Sequence, residues 1–163
     1  MRMEWRFVTD GRLHDLGEAL SAFLAEAGSR DGTGVALHVG TDSKNRGRTT
    51  HFVTAVALLH PGRGGRILYR TAREPLMANL AQRLIHETQL SLEVATELAS
   101  LARSEVVLHI DANPDERHRS SRYARSLAGM GLGCGFEVRL KPHAWCASHV
   151  ADHVVKEKHF RAA

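Results

Sequence analysis

Cysteine, aromatic residues and long apolar runs are all scarce in this chain of 163 residues, and each scarcity excludes something. The only two cysteines, Cys134 and Cys146, stand too far apart for a CxxC pair, which argues against a zinc knuckle or a disulfide-stapled scaffold. Eleven histidines are scattered without an HExxH or HxH pairing, so they read as surface or packing residues rather than metal ligands. No apolar run approaches the roughly 18 residues that a membrane span needs. The opening stretch MRMEWRFVTDGRLHD has no hydrophobic core of the signal-peptide kind. The expectation is a cytoplasmic protein with no membrane partner.

What is present suits one globular domain. Hydrophobic residues make up 43% and charged residues 25% of a chain of 18.0 kDa, enough to build a core without a metal or disulfide staple. Residues 1–163 are expected to form a single domain, with 1–30 as an N-terminal helical extension and 35–160 as its core. Lys and Arg number 22 against 18 Asp and Glu, and only four of the cations are lysine. Arg presents a planar, permanently charged fork that suits phosphate. A formal charge of +4 is equally that of a solvated basic surface, so charge alone does not establish a nucleic-acid partner.

Periodicity predicts the elements. Leu16, Leu20, Phe23, Leu24 and Ala27 share one face of a helix from Leu13 to Ala27, which Gly28 ends. Val35–Gly40, His51–His60 and Arg66–Thr71 read as strands, the last two joined by the PGRGG turn. From Pro75 to Arg103 the period becomes helical. Glu105–Ile110 is a strand, Asp115–Leu132 a helix, Phe136–Leu140 a strand, and Trp145 to Phe160 a last helix. The expected fold class is α/β: a five-stranded mixed sheet in the order β-β-β-α-β-α-β-α, plus the N-terminal helix. Ligands of such sheets gather beyond the carboxyl ends of parallel strands.

Two aspartates follow apolar strands, Asp42 after LHVGT and Asp111 after VVLHI. Either alone reads equally as a turn former or cap, and Asp111 precedes Asn113-Pro114, where an Asx turn is available. Together on neighbouring strands, like charges call for a cation between them. Glu87 lies about 20° from Leu80 on the helical wheel, inside the apolar stripe, where an unpaired carboxylate would cost several kcal/mol. A buried arginine or a backbone hydrogen bond would satisfy it as well as a metal. Glu93 falls roughly 100° or more off the stripe and is the alternate to Glu87 if the helix kinks. Asp152, in the first turns of the last helix, is a fourth acid whose weight comes from the other three. Hard divalent ions want oxygen ligands of this kind, and two Mg²⁺ or Mn²⁺ ions would suit phosphodiester cleavage. Ser43, Lys44, Arg46 and Arg48 beside Asp42, Arg117, Arg119 and Arg122 beyond Asp111, and Lys141 are the candidate contacts to a phosphate backbone. Cys134, in the glycine-rich GMGLGCG exit, reads as a buried small residue rather than a nucleophile.

The element order and acidic cluster resemble the ribonuclease H-like superfamily, and more narrowly its YkuK-like bacterial family. The resemblance rests on HVGTDS (38–43), THFVTAVALLH (50–60), GRGGR (62–66), ETQLSLEVA (87–95), LHIDAN (108–113), GMGLGCGFEVRLKP (129–142) and SHVAD (148–152). It implies a nuclease using carboxylate-held Mg²⁺ or Mn²⁺, with Asp42 as the first-strand acid, Glu87 the first-helix acid, Asp111 the fourth-strand acid and Asp152 the last-helix acid. The helix acid lies further past the third strand than in familiar ribonucleases H, which keeps Glu93 open beside Glu87. The competing reading is a non-catalytic nucleic-acid-binding module of the same fold, whose binding would be salt-sensitive and independent of metal. A phosphotransfer enzyme with an actin-like core is disfavoured, because the chain is too short for paired domains and lacks a second phosphate loop.

Overall fold

The computed structural model describes residues 4–146 and 148–150. The elements in chain order are β1 (Trp5–Phe7), β2 (Leu13–His14), α1 (Leu16–Glu26), β3 (Ala36–Arg46), β4 (Thr49–His60), β5 (Gly64–Pro75), α2 (Leu80–Leu101), β6 (Glu105–Ile110), α3 (Ser121–Gly133) and β7 (Glu137–Leu140). They form one mixed sheet in the order β2-β1-β5-β4-β3-β6-β7. The β3–β6 and β6–β7 pairs are parallel and the others antiparallel. No described helix is long and apolar enough to cross a membrane.

The sheet has seven strands rather than the expected five. The two additional ones are short and come from the N-terminal segment, where Arg6 and Phe7 pair with Tyr69 and Leu68 on the edge of β5. Strands of two or three residues carry too little periodicity to announce themselves, but Trp5 is buried and its ring lies under Arg70, 5.2 Å from the guanidinium carbon. The first helix consequently starts at Leu16, with Asp15 as its N-cap accepting from the Glu18 amide at 3.1 Å.

β3 also runs further than expected, through Asp42 to Arg46, so Asp42 lies within a strand and not after one. The reason is its antiparallel partner β4, which pairs with it along the whole length. Gly47, with φ +59°, opens the two-residue connection between Arg46 and Thr49, a conformation that favours glycine in tight hairpins.

Alternation along the strands divides the core in two. Val39, Val56, Leu58, Leu108 and Ile110 point to one face, where α1, α2 and α3 pack with Leu20, Leu84, Leu98 and Leu127. Ala55 and Ala57 point to the other, against Cys146 and Val150. Gly131 permits the closest approach of α3 to the sheet: a Cβ there would lie 2.6 Å from Val138 Cγ2 and 2.7 Å from Leu108 Cδ2. Cys134 was expected to be buried and is instead exposed, because it is the C-cap residue at the end of α3.

Candidate active site

The parallel register sets the site. Gly40 on β3, His109 on β6 and Arg139 on β7 form one row across the sheet. Asp42 lies two residues past that row within β3, while Asp111 and Lys141 follow directly on the carboxyl ends of β6 and β7, where the Lys141 amide is held by the Ala112 carbonyl at 3.0 Å. The Lys141 ammonium lies 2.6 Å from Asp111 Oδ1.

Glu87 comes to this row from α2. Its position in the apolar stripe does bury it, at 6% exposure, among Leu84, Thr88, Ser91 and Val94. Thr41 and Ser43 point toward α2 and meet this polar part of the stripe. Ser91 donates to Thr41 Oγ1 at 2.8 Å, Thr41 shares a hydrogen bond with Thr54, and Ser43 Oγ donates to Glu87 Oε1 at 2.5 Å. A buried polar group escapes its desolvation cost only when it is hydrogen-bonded, and this ladder of hydroxyls satisfies the polar part of α2 and ties it to β3. Asp42 lies between Thr41 and Ser43, and its Oδ1 accepts the Ser43 amide at 2.8 Å.

Asp42, Ser43, Glu87 and Asp111 line one cleft of about 440 Å³ together with Arg83, Arg117, His118, Arg119 and Ser120. Burial raises the Glu87 pKa to about 8; the Asp42 and Asp111 charges push the same way, and the Ser43 hydrogen bond only partly opposes them. Partial burial works against the Lys141 charge, yet Asp111, with Asp42 and Glu87 behind it, raises its pKa above the ordinary lysine value.

The donor chemistry fits a hard divalent cation: the lining offers three carboxylates, one so poorly compensated that it favours its proton, with no thiolate and one imidazole, that of His118. As they lie, no three His, Cys, Asp or Glu side chains among the described residues stand close enough to hold an ion. The Glu87 carboxyl is bonded to Ser43, and one Asp111 oxygen to Lys141. Asp152 falls outside the described residues.

The remaining candidates divide. Glu93 is exposed, away from the cleft, near enough to Arg70 for its charge to act there. Lys44 and Arg46 continue the Asp42 side of β3, and Arg48 lies in the turn beyond; none lines the cleft. Arg117 and Arg119 do line it, but from a loop and not from the helix expected over Asp115–Leu132, which begins only at Ser121. Side chains compete with helix formation there: the Asp115 amide donates to Asn113 Oδ1 at 2.9 Å and the Arg117 amide to Asp115 Oδ1 at 3.0 Å. Arg117 closes the turn by pairing with Asp115. Arg122 is exposed on the first turn of α3, outside the cleft.

Sequence reading passed over Arg83 and His118. Arg83 precedes Glu87 by one helical turn, about 40° away on the wheel, and that spacing could have revealed it. Its Nε is buried without a hydrogen-bond partner among the described residues. Reading also missed a histidine pair: His38 Nδ1 and His109 Nε2 share a hydrogen bond of 2.9 Å on the opposite face of the sheet, and the Trp145 amide donates to His109 Nδ1 at 3.1 Å. The signal was parity: His38 alternates with Leu37 and Val39, and His109 with Leu108 and Ile110, all core residues of the helix-packed face.

Among solved structures, RNase H1 from the halophilic archaeon Halobacterium salinarum NRC-1 is similar at 19% identity, covering 67% of this chain and 87% of that one, with a TM-score of 0.40. No curated protein matches the chain. The ribonuclease H-like family model matches residues 18–156, which include the whole described cleft, and the chain belongs to the ribonuclease H-like family.

Proposed function

We propose that the protein is a divalent-metal-dependent nuclease that hydrolyses phosphodiester bonds of nucleic acid at the cleft of Asp42, Glu87 and Asp111. The observation that carries this reading is the joint lining of one cleft by those three carboxylates and by Arg83, Arg117 and Arg119. Acids alone would repel a phosphodiester, and arginines alone would bind one without activating water.

Asp42, Glu87 and Asp111, with Asp152 as the fourth acid, are the residues that would hold Mg²⁺ or Mn²⁺, which supplies charge to the attacking and leaving oxygens when bound. The chain's own groups do the rest. Ser43 orients the Glu87 carboxyl through the 2.5 Å hydrogen bond, and the Ser91–Thr41 bond holds α2 against β3 so that this carboxyl stays in place. Arg83 and Arg119 offer cationic donors to nonbridging phosphate oxygens. Lys44, Arg46 and Arg48 extend the basic surface along the β3–β4 hairpin, where they would contact phosphates away from the scissile one.

The test is cleavage of labelled single-stranded DNA, duplex DNA, RNA and RNA–DNA hybrid with Mn²⁺ or with EDTA, wild type beside Asp42→Asn. Cleavage that needs the metal and is lost in a folded Asp42→Asn variant is expected. Salt-sensitive binding by both proteins without cleavage of any substrate would overturn the nuclease reading in favour of a binding module.

A further inference from the structure

Lys141 is placed too deliberately for a surface lysine. It follows β7 directly, one residue past the Ile110–Leu140 pair, its amide donates to the Ala112 carbonyl at 3.0 Å, and its ammonium reaches Asp111 Oδ1 at 2.6 Å. The carboxylate it meets is the more buried partner, with side-chain exposures of 38% for Lys141 and 18% for Asp111. The charges of Asp42 and Glu87 act on it as well.

We propose that Lys141 is a built-in cation of the carboxylate centre, standing where one of two divalent ions would otherwise stand, so that the cleft takes a single ion. The proposal rests on the metal-holding reading of the site given above. The Lys141 ammonium already offsets the charge of one carboxylate, Asp111, and so leaves fewer charges for divalent ions to neutralise. A second ion would have to approach Asp111 against an ammonium already bonded to it, and like charges at such distances repel strongly in a partly buried cleft. Lysine suits the part, because its ammonium is a compact point charge with three donors, whereas a guanidinium is a broad plane.

The experiment counts bound Mn²⁺, by electron paramagnetic resonance of the free ion and by calorimetry, in wild type, Lys141→Met and Lys141→Arg, with circular dichroism to establish that each is folded. Wild type is expected to bind one Mn²⁺, Lys141→Met two, and Lys141→Arg, which keeps the charge, one. Two ions in wild type overturn the proposal without recourse to any variant. One ion in folded Lys141→Met, or two in Lys141→Arg, overturns it as well, while leaving the metal site itself standing. No Mn²⁺ bound by wild type would instead remove the metal-holding reading and this inference with it.

Discussion

Glu87→Gln is expected to make the metal-free protein more stable at alkaline pH, although it alters a residue assigned to the site. Burial holds the folded-state pKa of Glu87 at about 8 against an ordinary value of 4.5. The folded chain therefore keeps a proton that the unfolded chain releases. Stability from this group is fully present below pH 4.5 and is lost as pH rises toward 8. At about 1.4 kcal/mol per pH unit, the loss approaches roughly 5 kcal/mol, an upper limit for a cleft that water can enter. Against a typical total of about 5–15 kcal/mol this is large. Glutamine does not titrate, fills nearly the same volume and can still accept the Ser43 hydroxyl. Urea unfolding followed by tryptophan fluorescence, in EDTA at pH 5, 7 and 9, compares the two proteins. Subtracting one from the other removes every other titrating group. With a urea m-value of about 2 kcal/mol/M, the difference between their midpoints should move by up to about 2 M in favour of the variant across this range. Midpoints that shift in parallel would refute the account of Glu87 as a buried, under-compensated carboxyl. Saturating Mn²⁺ should restore the wild type at pH 9.

Two further outcomes follow from the packing. Burial, with the Arg139 charge, lowers the pKa of His38, and burial, with the His38 ring and Arg139, lowers that of His109 to about 3. Both rings should therefore titrate below the ordinary 6.5 in an NMR titration, and the stability they contribute should fall as pH drops below that value; an ordinary midpoint near 6.5 for either would contradict the buried pair. Gly131→Val should destabilise the fold by about 2–3 kcal/mol in chemical denaturation, since α3 cannot approach Val138 and Leu108 with a side chain in between. A neutral effect would mean that α3 slides freely on the sheet.

How far the site was legible depended on whether its signal was local. Glu87 announced itself because one polar residue interrupted a stripe of helical period, and Glu93 was separable from it by angle alone. Asp42 and Asp111 were visible as acids closing apolar runs, although the run holding Asp42 continues as strand because β4 pairs beyond it. What was not legible depends on register between distant segments. Nothing near Lys141 in sequence reveals that the β6–β7 pairing sets it against Asp111. Helix expectation over Asp115–Leu132 failed at its start for a related reason: Asn113 and Asp115 spend their side chains on turns, which composition suggests and periodicity hides. The N-terminal strands were hidden because their pairing with β5 is tertiary and their length gives no period.

On the proposed reading, the distribution of cations makes binding and cutting separable. Arg117 is committed to Asp115, and Lys141 to Asp111, so neither brings uncompensated charge to a phosphate. Arg83 and Arg119 line the cleft without an ion pair among the described residues, beside the acids that would act on a single bond. Lys44, Arg46 and Arg48 carry their charge away along a hairpin that reaches about 14 Å beyond Asp42, at roughly 3.4 Å per residue. On the proposed reading, phosphates held there lie a few nucleotides from the cleft and contribute affinity that salt screens and sequence does not alter. Cleavage, in contrast, depends on neutralising the acid floor. Removing the hairpin cations should weaken capture of substrate without changing what happens to a strand already bound, whereas Asp42→Asn should leave capture intact and end the chemistry.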